Sequence, residues 1–188
     1  SSQSTYPPRY YQRIAINRTV DAIAKGQNRL LLVMATGTGK TWTAIFSAVR
    51  LMEEHPSMVV ICAPYKHLVK QWADDVEKAF PNAKLIMVSS ENPKWEQQMS
   101  QEIIRKKYDP NAQTIIISTI ASFKMPRFAN TLAKSNEDKL LIVDEAHRFT
   151  DRSEDMHTQF KYMLGLSATP FSGTSAQRGK ELMEFFGG

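Results

Sequence analysis

An α/β fold, with a doubly wound and mostly parallel sheet flanked by helices, is what this sequence predicts, and three observations predict it. Six short apolar runs recur along the 188 residues: 30–34 LLLVM, 58–63 MVVICA, 84–88 KLIMV, 113–118 QTIIIS, 139–143 KLLIV and 162–166 YMLGL. Each is nearly unbroken in Val, Ile and Leu, the composition of strands covered on both faces. Stretches of helical length and pattern separate them, and strand–helix alternation leads to parallel pairing through crossovers. Glycine-bearing or acidic turns follow two of the runs directly, and open α/β sheets bind ligands at the carboxyl ends of their strands.

Taken in order, 10–25 YYQRIAINRTVDAIAK reads as a helix with Ile14, Ala15, Ala22 and Ile23 on one side and Gly26 as its stop. Helices are expected at 40–54, 66–79, 94–107 and about 120–134. In MSQEIIRKKYDPN, Met99, Ile103 and Ile104 form an apolar side beside a basic end. A solvated surface helix explains that pattern better than a nucleic-acid contact does. The segments 90–98, 133–138 and 172–179 are rich in polar residues and are expected to be the flexible connections. There is no internal repeat, low-complexity tract or linker.

Bulk composition excludes some classes of protein. Apolar content of 42% and charged content of 23% are ordinary for a globular chain. No apolar run approaches the roughly 20 residues that span a bilayer, and the polar start SSQSTYPPRYYQ lacks the apolar core of a secretory signal. The single cysteine, Cys62, forms no internal disulfide, sits in an apolar run as a core residue, and suits a reducing cytoplasm. His55, His67, His147 and His157 show no metal-ligand spacing with it. A net charge of +5 is compatible with a polyanionic partner without identifying one.

The chemistry concentrates in ATGTGKT, residues 35–41, which follows a strand and opens a helix. That is the setting of a P-loop. Gly37 and Gly39 let main-chain N–H groups converge on phosphate oxygens, with Thr36 and Thr38 in the same loop. The helix presents its positive end to the same anion. Lys40 reaches the β and γ phosphates of ATP, and the Thr41 hydroxyl ligates Mg²⁺. The strict pattern has Gly where this chain has Met34. A second element, KLLIVDEAHR at 139–148, ends a strand in Asp144, placed to hold Mg²⁺ through its water shell, and in Glu145, placed to orient the attacking water.

DEAH, ATGTGKT and GLSATP (165–170) together, in this order, resemble the superfamily 2 helicase and translocase motors. The resemblance covers nearly the whole chain and implies a RecA-like ATP-binding domain over 29–188, preceded by an N-terminal arm and helix over 1–28. PPRYYQ looks like the adenine-recognising Q motif, which implies that Gln12 bonds the adenine edge, with Arg9 in the matching position. Tyr6 either stacks on the adenine ring or packs the arm. APYKHLVKQW (63–72) resembles motif Ia and ISTIASF (117–123) motif Ib. By that resemblance Pro64, Tyr65, Lys66, Ser118 and Thr119 lie along a nucleic-acid backbone; capping of the following helix explains Ser118 and Thr119 equally well. Trp72, also in the motif, reads as core packing. The motif III match implies that Ser167 and Thr169 bond toward His147 and couple the nucleotide site to the nucleic-acid side.

Within the superfamily, RYYQ, MATGTGKT, DEAHR and LSATP look most like the motor subunits of type I and type III restriction enzymes and their relatives in excision repair. Double-stranded DNA is therefore the expected track in preference to RNA. The alternatives are an RNA helicase of the DEAH type, a non-motor nucleotide switch, which has no need of motifs Ia and Ib, and a protein-translocating motor. Superfamily 2 motors carry a second RecA-like domain that supplies arginine fingers, and the 18 residues after GLSATP are too few to encode one. An N-terminal motor domain that binds ATP and hydrolyses it weakly by itself is the resulting expectation.

Overall fold

The computed structural model describes residues 10–34, 39–148 and 159–168. Six strands form one sheet in the order β1-β6-β5-β2-β4-β3, every neighbouring pair parallel. They are β1 (Arg29–Val33), β2 (Met58–Ala63), β3 (Lys84–Val88), β4 (Thr114–Thr119), β5 (Lys139–Val143) and β6 (Tyr162–Ser167). The helices are α1 (Tyr10–Ala24), α2 (Lys40–Glu54), α3 (Lys66–Ala79), α4 (Trp95–Tyr108), α5 (Ile120–Phe123) and α6 (Pro126–Leu132), with a 3₁₀ turn over Ala146–Arg148.

Alternate strand residues feed two separate cores. Val59, Ile61, Ile115, Ile117, Leu140 and Ile142 pack with α1, α2 and α3 on one face. Met58, Val60, Cys62, Ile116, Leu141 and Val143 pack with Trp95, Met99, Phe123 and Phe128 on the other. The four inner strands β6, β5, β2 and β4 are buried at every residue, as their unbroken apolar character predicts. The edge strands differ. β1 is half-buried with Val33 exposed, and β3 alternates, with Met87 exposed. Cys62 is fully buried and forms no disulfide, a core residue as expected.

Three local details depart from the expectations. The buried seam of α1 runs through Gln12, Ile16, Thr19, Val20 and Ile23, so Ile14, Ala15 and Ala22 stand at its margins. Its end is as foreseen: Gly26 adopts φ 90°, and the bonds Gly26 N–H to Ile23 O and Gln27 N–H to Ala22 O make a Schellman cap. Ile104 is exposed while Met99 and Ile103 are buried. The helix expected over about 120–134 is two helices. Met125 turns to ψ 133° because Pro126 disfavours helical geometry in the residue before it, and the proline restarts the chain at the first position of α6.

Two expected flexible connections are tied down instead. Asn92 donates from its side-chain amide to Met87 O at 2.7 Å and to Gln98 Oε1 at 2.8 Å, while Trp95 is buried against Phe128. In the other, the buried Lys139 ammonium donates to Ser135 O at 2.9 Å and Glu137 O at 3.0 Å. Burial pushes the Lys139 pKa below the usual lysine value, against the pull of Glu137 and Asp138. The segment 172–179 lies outside the described residues.

Candidate nucleotide site and the groove beside it

The parallel sheet brings its functional loops to one edge. β1 runs to Met34, whose N–H bonds Ser167 O at 3.0 Å, so the first and last strands end level. Gly39 precedes α2 with φ 75°, a conformation that favours glycine. A Cβ there would run into the Gln12 side-chain amide. The reason is a shared acceptor: Gly39 O takes hydrogen bonds from Gln12 Nε2 at 3.0 Å, Thr43 N–H at 3.0 Å and Thr43 Oγ1 at 3.1 Å. Gln12, buried on α1, therefore sits against the glycine that opens α2.

Lys40 extends from the first turn of α2 to Asp144 Oδ1 at 3.5 Å. Asp144 follows β5, its N–H bonding Cys62 O at 2.8 Å, and it is 5% exposed. Its other oxygen, Oδ2, accepts from the Trp72 indole N–H at 2.9 Å. Both oxygens of a buried carboxylate are thus held by donors, as burial requires. Trp72 is packed in the core, as expected, but it also orients the acid. A buried indole needs an acceptor, and a strand-end carboxylate is the residue type able to provide one; that requirement was the available signal in the sequence.

Glu145 takes φ 48°, uncommon for a residue with a side chain, and its O accepts from Arg148 N–H at 2.8 Å to close the 3₁₀ turn. The Glu145 carboxylate pairs with Arg148 Nε at 3.1 Å. Ala146–Arg148 packs against β6, which places His147 and the fully buried Ser167 in neighbouring elements. Thr41 lies in the first turn of α2 and is half-buried. Tyr6, Arg9, Thr36, Gly37, Thr38 and Thr169 lie outside the described residues.

Next to this site, beyond the ends of β2, β3 and β4, opens a cavity of about 670 Å³. Pro64, Tyr65, Lys66 and Thr119 line it, joined by His67, Lys70, Ser90, Glu91 and Ser122. Lys66 and Lys70, one helical turn apart, are exposed, and α3 begins at Lys66 with no side-chain cap. Thr119 accepts at Oγ1 from Ser122 N–H at 3.2 Å and so caps α5 while still bordering the cavity. Ser118 is fully buried beneath it, donating to Thr119 O at 2.8 Å. Tyr65 stacks on His67 with centroids 5.7 Å apart, and its hydroxyl accepts from Arg148 Nη1 at 2.6 Å.

A parallel sheet that gathers a glycine–lysine helix start and an Asp-Glu pair on one edge defines the class: a RecA-like domain of the superfamily 2 helicase-like motors. The model of the family described as "Type III restriction enzyme, res subunit" matches residues 5–172, and the chain belongs to that family. It is 34% identical over 177 residues to the type I restriction enzyme EcoAI endonuclease subunit of Escherichia coli, covering 87% of this chain and 19% of that one. To the putative helicase 109L of Invertebrate iridescent virus 3 it is 28% identical, over 85% of this chain and 44% of the other. The fold matches a nuclease-deletion mutant of the type ISP restriction-modification enzyme LlaGI, solved with a DNA substrate mimic. There the TM-score is 0.69 at 20% identity, covering 89% of this chain and 18% of that one. The chain thus spans under half the length of each of these relatives. Among the described residues no helix is long and apolar enough to cross a membrane.

Proposed function

We propose that this chain is the ATP-binding motor domain of a double-stranded DNA translocase or helicase of the restriction or repair type. One observation carries the reading: the Lys40–Asp144 pair, 3.5 Å apart, shares the sheet's carboxyl edge with a basic, open groove built from the motif Ia and Ib residues. A non-motor switch has no use for that groove. The DNA substrate mimic bound to LlaGI, a protein of the same fold, favours DNA over RNA.

Lys40 leaves Asp144 Oδ1 to meet the β and γ phosphates of ATP, and backbone N–H groups of Thr36, Gly37, Thr38 and Gly39 cradle the phosphate chain. The Thr41 hydroxyl and the Asp144 carboxylate form an all-oxygen donor set, which fits Mg²⁺, bound through few protein ligands and several waters. The ion supplies charge neutralisation on the phosphate oxygens when bound. Throughout, Trp72 keeps Asp144 Oδ2 in place, so only Oδ1 has to change partners. Glu145 orients and polarises the attacking water. Gln12 reads adenine at its edge and reports to Gly39 through their hydrogen bond, with Arg9 in the motif's matching position and Tyr6 the candidate to stack on the ring. His147, Ser167 and Thr169 couple this chemistry to the groove. There Pro64, Tyr65, Lys66 and Thr119 follow a phosphate backbone, a contact that positions DNA without reading its sequence; the buried Ser118 supports Thr119 from below.

A second RecA-like domain completes the site. Arginine fingers of the kind it carries are worth about 10³–10⁵ in rate, so this chain binds ATP–Mg²⁺ and turns it over slowly. The test is ATP binding and hydrolysis by the chain with double-stranded DNA, single-stranded DNA or RNA, and with Lys40→Ala as control. Binding lost in the control, with turnover slow and DNA bound, is the expected result. Fast turnover by the monomer without nucleic acid overturns the need for a second domain, and response to RNA alone overturns the DNA track.

A further inference from the structure

Arg148 has no part in the nucleotide chemistry itself, yet it touches both sides of the molecule's edge. Its Nε pairs with the Glu145 carboxylate at 3.1 Å, and its Nη1 donates to the Tyr65 hydroxyl at 2.6 Å. The guanidinium also lies over the Tyr65 ring, 5.4 Å from the centroid, and that ring stacks in turn on His67 with an interplanar angle of 7°. The run Glu145–Arg148–Tyr65–His67 thus joins the residue that orients water to the wall of the groove. Half of the Arg148 side chain and 45% of Tyr65 remain exposed.

We propose that Arg148 is a positioning residue that holds Glu145 turned away from the attacking water until DNA occupies the groove. The proposal rests on the DNA-motor reading and adds to it the device by which the track is felt at the nucleotide. A guanidinium is built to take a phosphate through two parallel N–H bonds. A backbone phosphate arriving at Tyr65 and Lys66 competes with the Glu145 carboxylate for the same fork. Arg148 then swings to the phosphate, keeps its place over Tyr65, and leaves the carboxylate free. Exposed ion pairs shift an equilibrium by only about fivefold at most, so the restraint is weak enough for one phosphate to displace. The left-handed backbone at Glu145, φ 48°, fixes where the carboxylate starts, so release changes its rotamer while the strand end stays in place.

The experiment is a proton–nitrogen correlation of the arginine Nε groups in the full 188-residue chain, titrated with a short DNA duplex. Arg148 is identified by the signal lost in Arg148→Lys, and Glu145→Gln gives the position of an Arg148 released from its carboxylate. Duplex DNA is expected to move the wild-type signal off its starting position, and to a shift that Glu145→Gln bound to DNA shares. Single-turnover ATP hydrolysis without nucleic acid is expected to rise about two- to fivefold in Arg148→Ala, with the ratio of DNA-stimulated to basal rate falling by the same factor. Backbone shifts at Tyr65 and Lys66 with an unmoved Arg148 signal overturn the proposal and leave the DNA-motor reading intact. An unchanged basal rate in Arg148→Ala overturns it too. A chain whose spectrum ignores DNA overturns both.

Discussion

Replacing Trp72 with Phe isolates the hydrogen bond that holds Asp144. The indole N–H lies 2.9 Å from Asp144 Oδ2, and both residues are buried. A hydrogen bond to a charged group is worth about 1.5–3 kcal/mol, and deletion leaves the carboxylate oxygen without its donor. Loss of one fused ring from a packed core adds roughly 1 kcal/mol. The expected destabilisation is therefore about 2.5–4 kcal/mol, or about 5–16 °C in Tm for a domain of this size. Thermal and urea unfolding of Trp72→Phe, Asp144→Asn and the double variant measure it. The cycle cancels the packing loss and leaves a coupling of about 1.5–3 kcal/mol. Titration of ATP with and without Mg²⁺ adds a functional reading, since a carboxylate free to rotate holds the ion less well. The variant is expected to lose affinity chiefly when Mg²⁺ is present. A coupling energy below about 0.5 kcal/mol, or equal losses with and without Mg²⁺, refutes the claim that Trp72 orients the acid.

Two further outcomes follow from residues near the site. Gly39→Ala forces a side chain into a left-handed conformation, at about 1–2 kcal/mol, and pushes the Gln12 amide from the carbonyl it bonds. Nucleotide affinity should fall together with stability, and a variant that keeps both removes Gly39 from the mechanism. On α3, burial raises the Asp75 pKa above the usual carboxylate value, opposed by Lys78 and assisted by Asp74. The folded state thus disfavours the charged form, a cost that is full at neutral pH and vanishes below the unfolded value of 3.8. Asp75→Asn should raise Tm at pH 7, with the gain shrinking toward zero as pH falls below 3.8; a gain independent of pH contradicts the assignment.

The strands were legible almost to the residue because the buried ones carry their burial on both faces, as in VVICA and TIIIST. The edges were not. KLIMV resembles the inner strands in composition, and only the strand order, with β3 outermost, decides that Met87 meets solvent. Helix α1 shows the same limit: local spacing picked Ile14 and Ala15, whereas packing against α2 selected Gln12, Ile16 and Thr19. Pro126 did announce the break in the helix expected over about 120–134, through a rule about the residue before proline. In the site, Lys40 and Asp144 were predictable as separate motif members. Their pairing, and the bridges Trp72–Asp144 and Arg148–Tyr65, span 72 and 83 residues of sequence and arise only from topology.

The same topology bears on how the sheet comes to be folded. Among the described residues β1, which leads into the glycine loop, has one sheet partner, β6, and their register couples Arg29 to Met163 and Val33 to Ser167. Of the six strands, the one that leaves a ribosome first therefore waits for the one that leaves last before it has a ladder to join. Pairings so distant in sequence are slow to form, and until then Leu30, Leu31 and Leu32 are an apolar segment with no sheet to enter. ATP-binding competence should thus be the final property this nascent sheet acquires, although the glycine loop is synthesised ahead of five of its strands.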